Sequence, residues 1–390
     1  MLNSQKICII GSGLTGSTIA YLLSKFNLQI DIVDENYNKK IIPTKLALSK
    51  SSLDQLHHFG LKEIKKKSNP VKDIYLHDSY SEINLEKDLK FSSSNKEKIL
   101  AYIIDSKVLH SDVNKKLKNL NNINLIKKKI YSVNDNKIFK TVIYEDFTKK
   151  NYSLVILTSN NNRSLLPKMN LKEIINKSYN ENAYVFSLNH KKIKNNSARQ
   201  FFLKDGPLAF LPVSSSKTFV IWSMKKDSIN KKYVSSKDYL FNFFNKNFKE
   251  LFNDIISVSD INIFNLDYIF NELKEFKRTL LFGDIASKIH PIAGQGWNMT
   301  LRNILSLVKV IKDFENLGLE IGNNIFLEKY LDEVKLNNFT FTMLIDGIRE
   351  VFDIKNDGYA SIRKGALSAI DKNSFLKNNL ANVADKGLFI

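Results

Sequence analysis

Cys8-Ile9-Ile10-Gly11-Ser12-Gly13-Leu14-Thr15-Gly16 leads an apolar strand into G-x-G-x-x-G, and no other stretch restricts the fold as much. Each glycine has a mechanical task. Gly11 permits the tight turn, Gly13 lets backbone approach a pyrophosphate, and Gly16 allows a helix to pack closely on the strand. The helix expected to start at Leu14 and Thr15 turns its free amides and positive dipole end toward phosphates. That dipole contributes about 0.3–1 kcal/mol when exposed and up to ~2 kcal/mol when partly buried. Ile30-Asp31-Ile32-Val33-Asp34 is the second strand, and Asp34 follows Gly16 by 18 residues. An acid at that distance accepts hydrogen bonds from a ribose 2′-hydroxyl and disfavours a 2′-phosphate; Glu35 is the less favoured neighbour. Strand, turn, helix and acid in this order predict a dinucleotide site for FAD or NAD(H). The turn alone does not separate the two.

A second block lies near the other end: Leu281-Phe282-Gly283-Asp284-Ile285-Ala286, then Ile289-His290-Pro291-Ile292-Ala293-Gly294-Gln295-Gly296-Trp297-Asn298. Here an acid at a strand end precedes a loop whose glycines let backbone come close to a ligand. A helix expected from Gly296 points its first amides at the same cleft. Two helix N-termini converging on one cleft suit an extended ligand with a pyrophosphate and an electron-accepting ring. Asp284 has a competing local reading as a helix cap. His290 reads equally well as a packed loop histidine and is given no acid–base role. No metal site is expected, because the six histidines lack ligand spacing, H-E-x-x-H is absent, and Cys8 is the lone cysteine.

Between these blocks the periodicity changes. Residues 46–60 suggest an amphipathic helix, with Leu46, Leu48, Leu53, Leu56 and Phe59 near helical spacing. Strands are expected at Asp73–His77 and Ile99–Ile104, a helix over about Val108–Leu117, and a meander over 123–158 ending in Leu154–Thr158. Alternating apolar residues over about 180–275 predict a largely antiparallel sheet. A strand at Thr279–Phe282, a helix from Gly296 to Phe314, and further helices over 324–385 with a break near Asp353–Gly358 complete the chain. The expected architecture is α/β. A Rossmann-like nucleotide-binding lobe comprises 1–70, 98–165 and 276–325. A mostly antiparallel β-sheet lobe from 71–97 and 178–275 is inserted into it, and a helical region, 326–390, follows.

The His290–Gly296 block with Asn298 resembles the ubiquinone-biosynthesis hydroxylases, a subgroup of the FAD-dependent aromatic hydroxylases of the p-hydroxybenzoate-hydroxylase type. Ala198-Arg199-Gln200-Phe201, Gly206-Pro207-Leu208-Ala209-Phe210-Leu211-Pro212, Leu46-Ala47-Leu48-Ser49 and the stretch from Arg363 to Asp371 extend the resemblance over essentially the full length. It implies FAD as the cofactor, with Asp284 on the ribityl chain. The stretch Pro291–Asn298, which includes Gly294, Gln295, Gly296 and Trp297, would lie against the isoalloxazine ring. It further implies that reduced FAD and dioxygen form a peroxide on the flavin that hydroxylates an electron-rich phenol. The cofactor carries that chemistry, while the protein orients, excludes water and stabilises charge. A single dinucleotide turn leaves NAD(P)H as a transient reductant or assigns reduction to a protein electron donor. The implied substrate is a polyprenyl phenol, and the implied setting a ubiquinone-biosynthesis complex.

Three positions depart from the family pattern. Ser159-Asn160-Asn161-Asn162-Arg163-Ser164 lacks the usual Asp-Gly, Lys45 stands where the family has arginine, and Ser287 or Lys288 displaces a histidine. Lysine keeps the charge but not the planar multi-donor geometry. These changes motivate one alternative, a non-catalytic scaffold or lipid-binding subunit. A prenyl-lipid reductase or halogenase on the same fold is another.

The net charge of +19 reflects a broad compositional bias in which lysine, asparagine and isoleucine are abundant together, and the lysine clusters at Lys65–Lys67, Lys127–Lys129, Lys191–Lys194 and Lys231–Lys232 are scattered and without aromatic interleaving. Nucleic acid is therefore not expected as a partner; solvated faces are, and after them an anionic membrane surface. Phe339, Phe341, Met343, Leu344 and Ile348 are the apolar residues placed to dock there, against the reading of a helix packed on the body. The lone cysteine and the immediate first strand predict a cytoplasmic protein, peripheral on the inner face of the cytoplasmic membrane.

Overall fold

The computed structural model describes residues 5–37, 44–80, 82–92, 99–136, 138–169, 175–228, 234–270, 277–354 and 357–387. The Lys231–Lys232 cluster lies outside them.

Five parallel strands form the central sheet in the order Thr279–Leu281, Leu154–Leu157, Gln5–Ile10, Leu28–Val33, Ile123–Ile126. Parallel strands need both faces covered, and the sequence supplies both. Ile7 and Ile9 point to one face, into a core shared with the helices Leu14–Leu23, Ser106–Leu117 and Gly296–Asn316. Cys8 and Ile10 point to the other, where the antiparallel meander Ile130–Asp135, Lys140–Tyr144, Lys149–Tyr152 covers them. The meander is thus shorter than the expected 123–158, because its flanking strands belong to the parallel sheet. Strand order reverses at Gln5–Ile10, and ligands of such sheets bind outside the carboxyl ends of the strands at that point.

The second large sheet has nine strands, built on the long strand Ile175–His190. Its pairing is antiparallel except where Asp73–Ser79 runs parallel to Ser197–Leu203. One face packs on the helix Lys237–Phe252 through Phe186, Phe201, Phe210, Trp222, Phe244 and Phe248. That helix was not expected, since its phenylalanine-rich composition favours strands; Ser236 caps it, and burial of one apolar stripe decides the outcome.

A further correction concerns residues 46–60. Lys45–Ser49 is a strand paired antiparallel with Ala101–Asp105, and only Lys50–His58 is helical. Ser49 makes the change of direction, its hydroxyl accepting a bond from the Ser52 amide. The C-terminal region forms the helices Asn324–Asp353, Asp357–Lys372 and Ser374–Lys386, with the expected break after Asp353 and a second, unexpected one after Lys372.

Candidate functional site

The two glycine loops meet. A Cβ built on Gly283 would lie 3.1 Å from Thr15 Oγ1 and 3.5 Å from the Thr158 carbonyl oxygen, so the acid-bearing turn rests on the first helix's N-terminus. Gly283 has φ +68, where glycine is favoured. Gly11 and Gly16 are in near backbone contact, whereas a Cβ on exposed Gly13 would meet nothing within 4 Å. Gly13 is the N-cap and no side chain caps the helix, which leaves its first amides open. Thr158, missed in the sequence, ties the turn down by donating to the carbonyls of Ile10 and Gly11 at 3.0 and 3.2 Å.

Asp34 stands at the end of the second strand, as its spacing predicts. Its Oδ2 accepts from the Ser12 amide and hydroxyl at 2.8 and 2.7 Å, and its Oδ1 from the Asn36 amide at 2.8 Å. A carboxylate offers about four lone-pair positions, so Oδ1 retains one for a hydroxyl. Glu35 is exposed and, among the described residues, accepts only from the Asn36 side chain. Lys45 lies on the strand beside the cleft, and its charge is taken by Asp105 at 2.5 Å. Residues 159–164 begin a short turn, with Ser159 accepting from the Asn161 amide. Ser159 Cβ would be 3.1 Å from a Cβ on Gly11. Lys288 pairs with Asp267.

Asp284 is solvent-accessible yet walled by protein, and makes no hydrogen bond among the described residues. The surrounding protein raises its carboxyl above the usual range, partly offset by Lys288. Beyond it, Gly294 (φ +59) and Gly296 are exposed, and a Cβ on Gly294 would be 3.2 Å from that of Ala47. Gln295 Oε1 and Trp297 Nε1 are buried without partners among the described residues, which is costly unless a ligand supplies them. Asn298 has a different task from its neighbours. Its buried amide accepts from the Ser49 N–H at 3.0 Å and donates to the Ala47 and Gly294 carbonyls at 2.8 and 3.3 Å. The side chain therefore staples the loop to the Lys45–Ser49 strand and has no hydrogen left for a ligand.

The sheet face opposite the phenylalanine core presents half-buried Leu211, Val213, Ile221 and Phe264 around buried Val185, Phe219 and Leu266. A cavity lined by Tyr80, Glu181, Phe202, Ile292, Arg349 and Phe352 opens between this lobe, the Pro291–Ala293 turn and the Asn324–Asp353 helix. Glu181 and Arg349 were missed in the sequence; an acid in an otherwise apolar alternation was the signal. No group of three or more metal-ligating side chains occurs among the described residues.

This arrangement fits FAD by observation: an open glycine turn, a free carboxylate on the turn that rests on it, exposed glycines and, among the described residues, buried polar atoms without partners. The family model described as squalene epoxidase matches residues 171–381. The ubiquinone biosynthesis monooxygenase COQ6, mitochondrial, of Dictyostelium discoideum is 24% identical, over 98% of this chain and 91% of that protein. Ubiquinone hydroxylase UbiL of Rhodospirillum rubrum is 21% identical, over 95% and 87%. Among solved structures, p-nitrophenol 4-monooxygenase PnpA of Pseudomonas putida superposes with TM-score 0.77 at 14% identity, covering 98% of this chain and 97% of that one. Klebsiella pneumoniae HpxO complexed with FAD and uric acid gives 0.72 at 13% identity, covering 97% and 96%. These two structures share the fold.

Proposed function

The chain belongs to the squalene epoxidase family, and from that premise we propose that it is an FAD-dependent monooxygenase that hydroxylates the aromatic ring of a polyprenyl phenol in ubiquinone biosynthesis. One observation carries the reading: the acid-bearing Gly283 turn rests on the N-terminus of the first helix, so the free groups of the two glycine loops stand together. FAD, reduced by NAD(P)H or a protein electron donor, supplies the activation of dioxygen. The chain's own residues do the rest. Backbone amides of Gly13, Leu14 and Thr15 hold the pyrophosphate, in a turn that Gly11, whose own amide donates to the Val33 carbonyl, and Gly16 keep tight; Asp34 takes the ribose, and Asp284 takes the ribityl chain. Amides of Gln295, Gly296 and Trp297 stabilise negative charge developing on the ring, while the Gly294 amide closes the turn onto the Pro291 carbonyl. Pro291 and the Ala47 side of the loop give the ring an apolar seat. Leu211, Val213, Ile221 and Phe264 orient the phenol and exclude water. Glu35 takes no part, and Lys45 contributes charge already shared with Asp105.

Purified protein is expected to be yellow and to release FAD on denaturation. With a reductant and dioxygen it is expected to add one oxygen to a polyprenyl phenol, read by product mass. A folded, FAD-loaded protein that adds none sinks the hydroxylase reading, and a product gaining hydrogens or halogen redirects it to a reductase or halogenase.

The substrate's prenyl chain requires access to a bilayer. No described helix is long and apolar enough to cross one. The C-terminal helices nevertheless leave Leu336, Phe339, Met343, Leu344, Val351, Ile362 and Phe375 exposed, whereas Phe341 is buried and Ile348 half-buried. We read this face, on a chain of net charge +19, as peripheral docking on an anionic membrane from the cytoplasmic side. The protein is expected to float with anionic liposomes and less with neutral ones, since each nearby Lys or Arg adds about 1 kcal/mol. Complete retention in the soluble fraction counts against docking.

A further inference from the structure

We infer that Glu181 is a positioning residue for the Pro291–Gly294 loop, acting through His290 and coupled by Arg349 to the Asn324–Asp353 helix; the inference rests on that loop holding the flavin ring. The strand Ile175–His190 has an irregularity between Ser178 and Glu181, with Asn180 at φ +56. Such bulges re-aim side chains, and this one accompanies a carboxylate only 5% exposed. Glu181 Oε2 is 3.0 Å from His290 Nε2, and Oε1 accepts from Arg349 Nη2 at 2.6 Å. Burial by itself would raise the Glu181 carboxyl; the bonds from His290 and Arg349 outweigh it and hold the group below its usual range.

The chemistry assigns the histidine's tautomer. The backbone N–H of Ile292 can only donate, and it points at His290 Nδ1 at 3.3 Å. Nδ1 must therefore accept, which leaves the proton on Nε2 to be donated to Glu181. A carboxylate at position 181 thus selects the tautomer that caps the Pro291–Ala293 turn. His290 is 1% exposed and meets the Tyr179 ring edge-on at 5.4 Å, so no water stands in for either bond. Arg349 lies over the same Tyr179 ring at 4.4 Å, and the Tyr179 hydroxyl donates to Asp346 at 3.2 Å. Loop, sheet and C-terminal helix are joined at one buried point. Through these bonds the effect of Glu181 is on where the loop backbone lies.

Glu181→Gln keeps the shape but offers one acceptor oxygen and one donor nitrogen, so it cannot accept from both His290 and Arg349. In the FAD-loaded protein, the variant is expected to change the ratio of affinities for oxidised and reduced FAD about tenfold. For a two-electron couple that is a displacement of about 30 mV, with altered visible circular dichroism of the flavin. His290→Asn, which can still cap Ile292 but is too short to reach Glu181, is expected to shift the potential similarly. It also reads the link if the glutamine variant does not fold. A merely structural role lowers the unfolding temperature and leaves potential and dichroism of the bound flavin unchanged; that result in both variants overturns the inference. A wild-type protein that binds no FAD overturns the functional reading itself, and this inference with it.

Discussion

Gly16→Ala is expected to yield a protein that no longer retains FAD. A Cβ at this position would fall 1.9 Å from the Gly11 carbonyl oxygen and 2.9 Å from Thr158 Oγ1. The first of these is backbone in a turn that already needs Gly11 at φ +108, so no side chain can move aside. The helix Leu14–Leu23 must then lift off the strand Gln5–Ile10, carrying away the amides that face the cleft. Overpacking usually costs about 1–3 kcal/mol where neighbours can yield, and backbone against backbone belongs at the upper end. Loss of FAD affinity by about 100-fold or more, equivalent to roughly 2.7 kcal/mol, is expected in a fluorescence titration. Thermal stability should fall as well. Gly13→Ala is the control that separates packing from binding. Nothing lies within 4 Å of its Cβ and its φ is −65, so unfolding should change little while FAD affinity drops. Stoichiometric FAD in purified Gly16→Ala protein would show that the cofactor is not held at this turn.

The second large effect lies between the sheet lobe and the C-terminal helices. Asp78 and Arg363 form an ion pair at 3.0 Å, their side chains 0% and 4% exposed. Arg363 also donates to the Ile354 carbonyl and lies over the rings of Tyr80 and Phe352. The pair is not fully satisfied, because Asp78 Oδ1 and Arg363 Nη2 have no partner among the described residues. Removing one member leaves a bare buried charge, which typically costs about 3–5 kcal/mol. Arg363→Met is expected to lower unfolding free energy by that amount in a denaturant titration. Replacing both, as in Asp78→Leu with Arg363→Met, is expected to recover most of the loss, because an apolar pair of similar volume is often neutral or stabilising. A loss below about 1 kcal/mol in the single variant would mean that water reaches the pair and that the Asp357–Lys372 helix is held by other contacts. That outcome would also shift attention to the Phe202–Phe352 stack at 3.4 Å as what seats the tail.

Much of the fold was legible where the physics is local. Gly11, Gly13 and Gly16 carry steric tasks settled within one turn and the start of one helix. The apolar run Ile7–Ile10 and the acid at Asp34 complete a unit that needs no distant partner to be recognised. The C-terminal helices were legible for the same reason, since helical spacing and the break after Asp353 are short-range properties; the break after Lys372 was not read. Lys45–Ser49 was not. Leu46 and Leu48 satisfy either periodicity, and pairing with Ala101–Asp105 decides for strand. The Lys237–Phe252 helix was hidden by composition and is settled by the sheet face it covers.

The candidate site divides along the same line. The sequence by itself determined which residues can turn tightly, free an amide or end a strand with an acid, because sterics and chain connectivity act over a few residues. Only the tertiary structure decided that Asn298 spends its amide on Ala47, Ser49 and Gly294, that Lys45 is answered by Asp105, and that Glu181 is buried. Glu181 meets His290 and Arg349 from 109 and 168 residues away. A buried charge is tolerable only when its partners are brought to it, and which partners arrive depends on how separate elements pack.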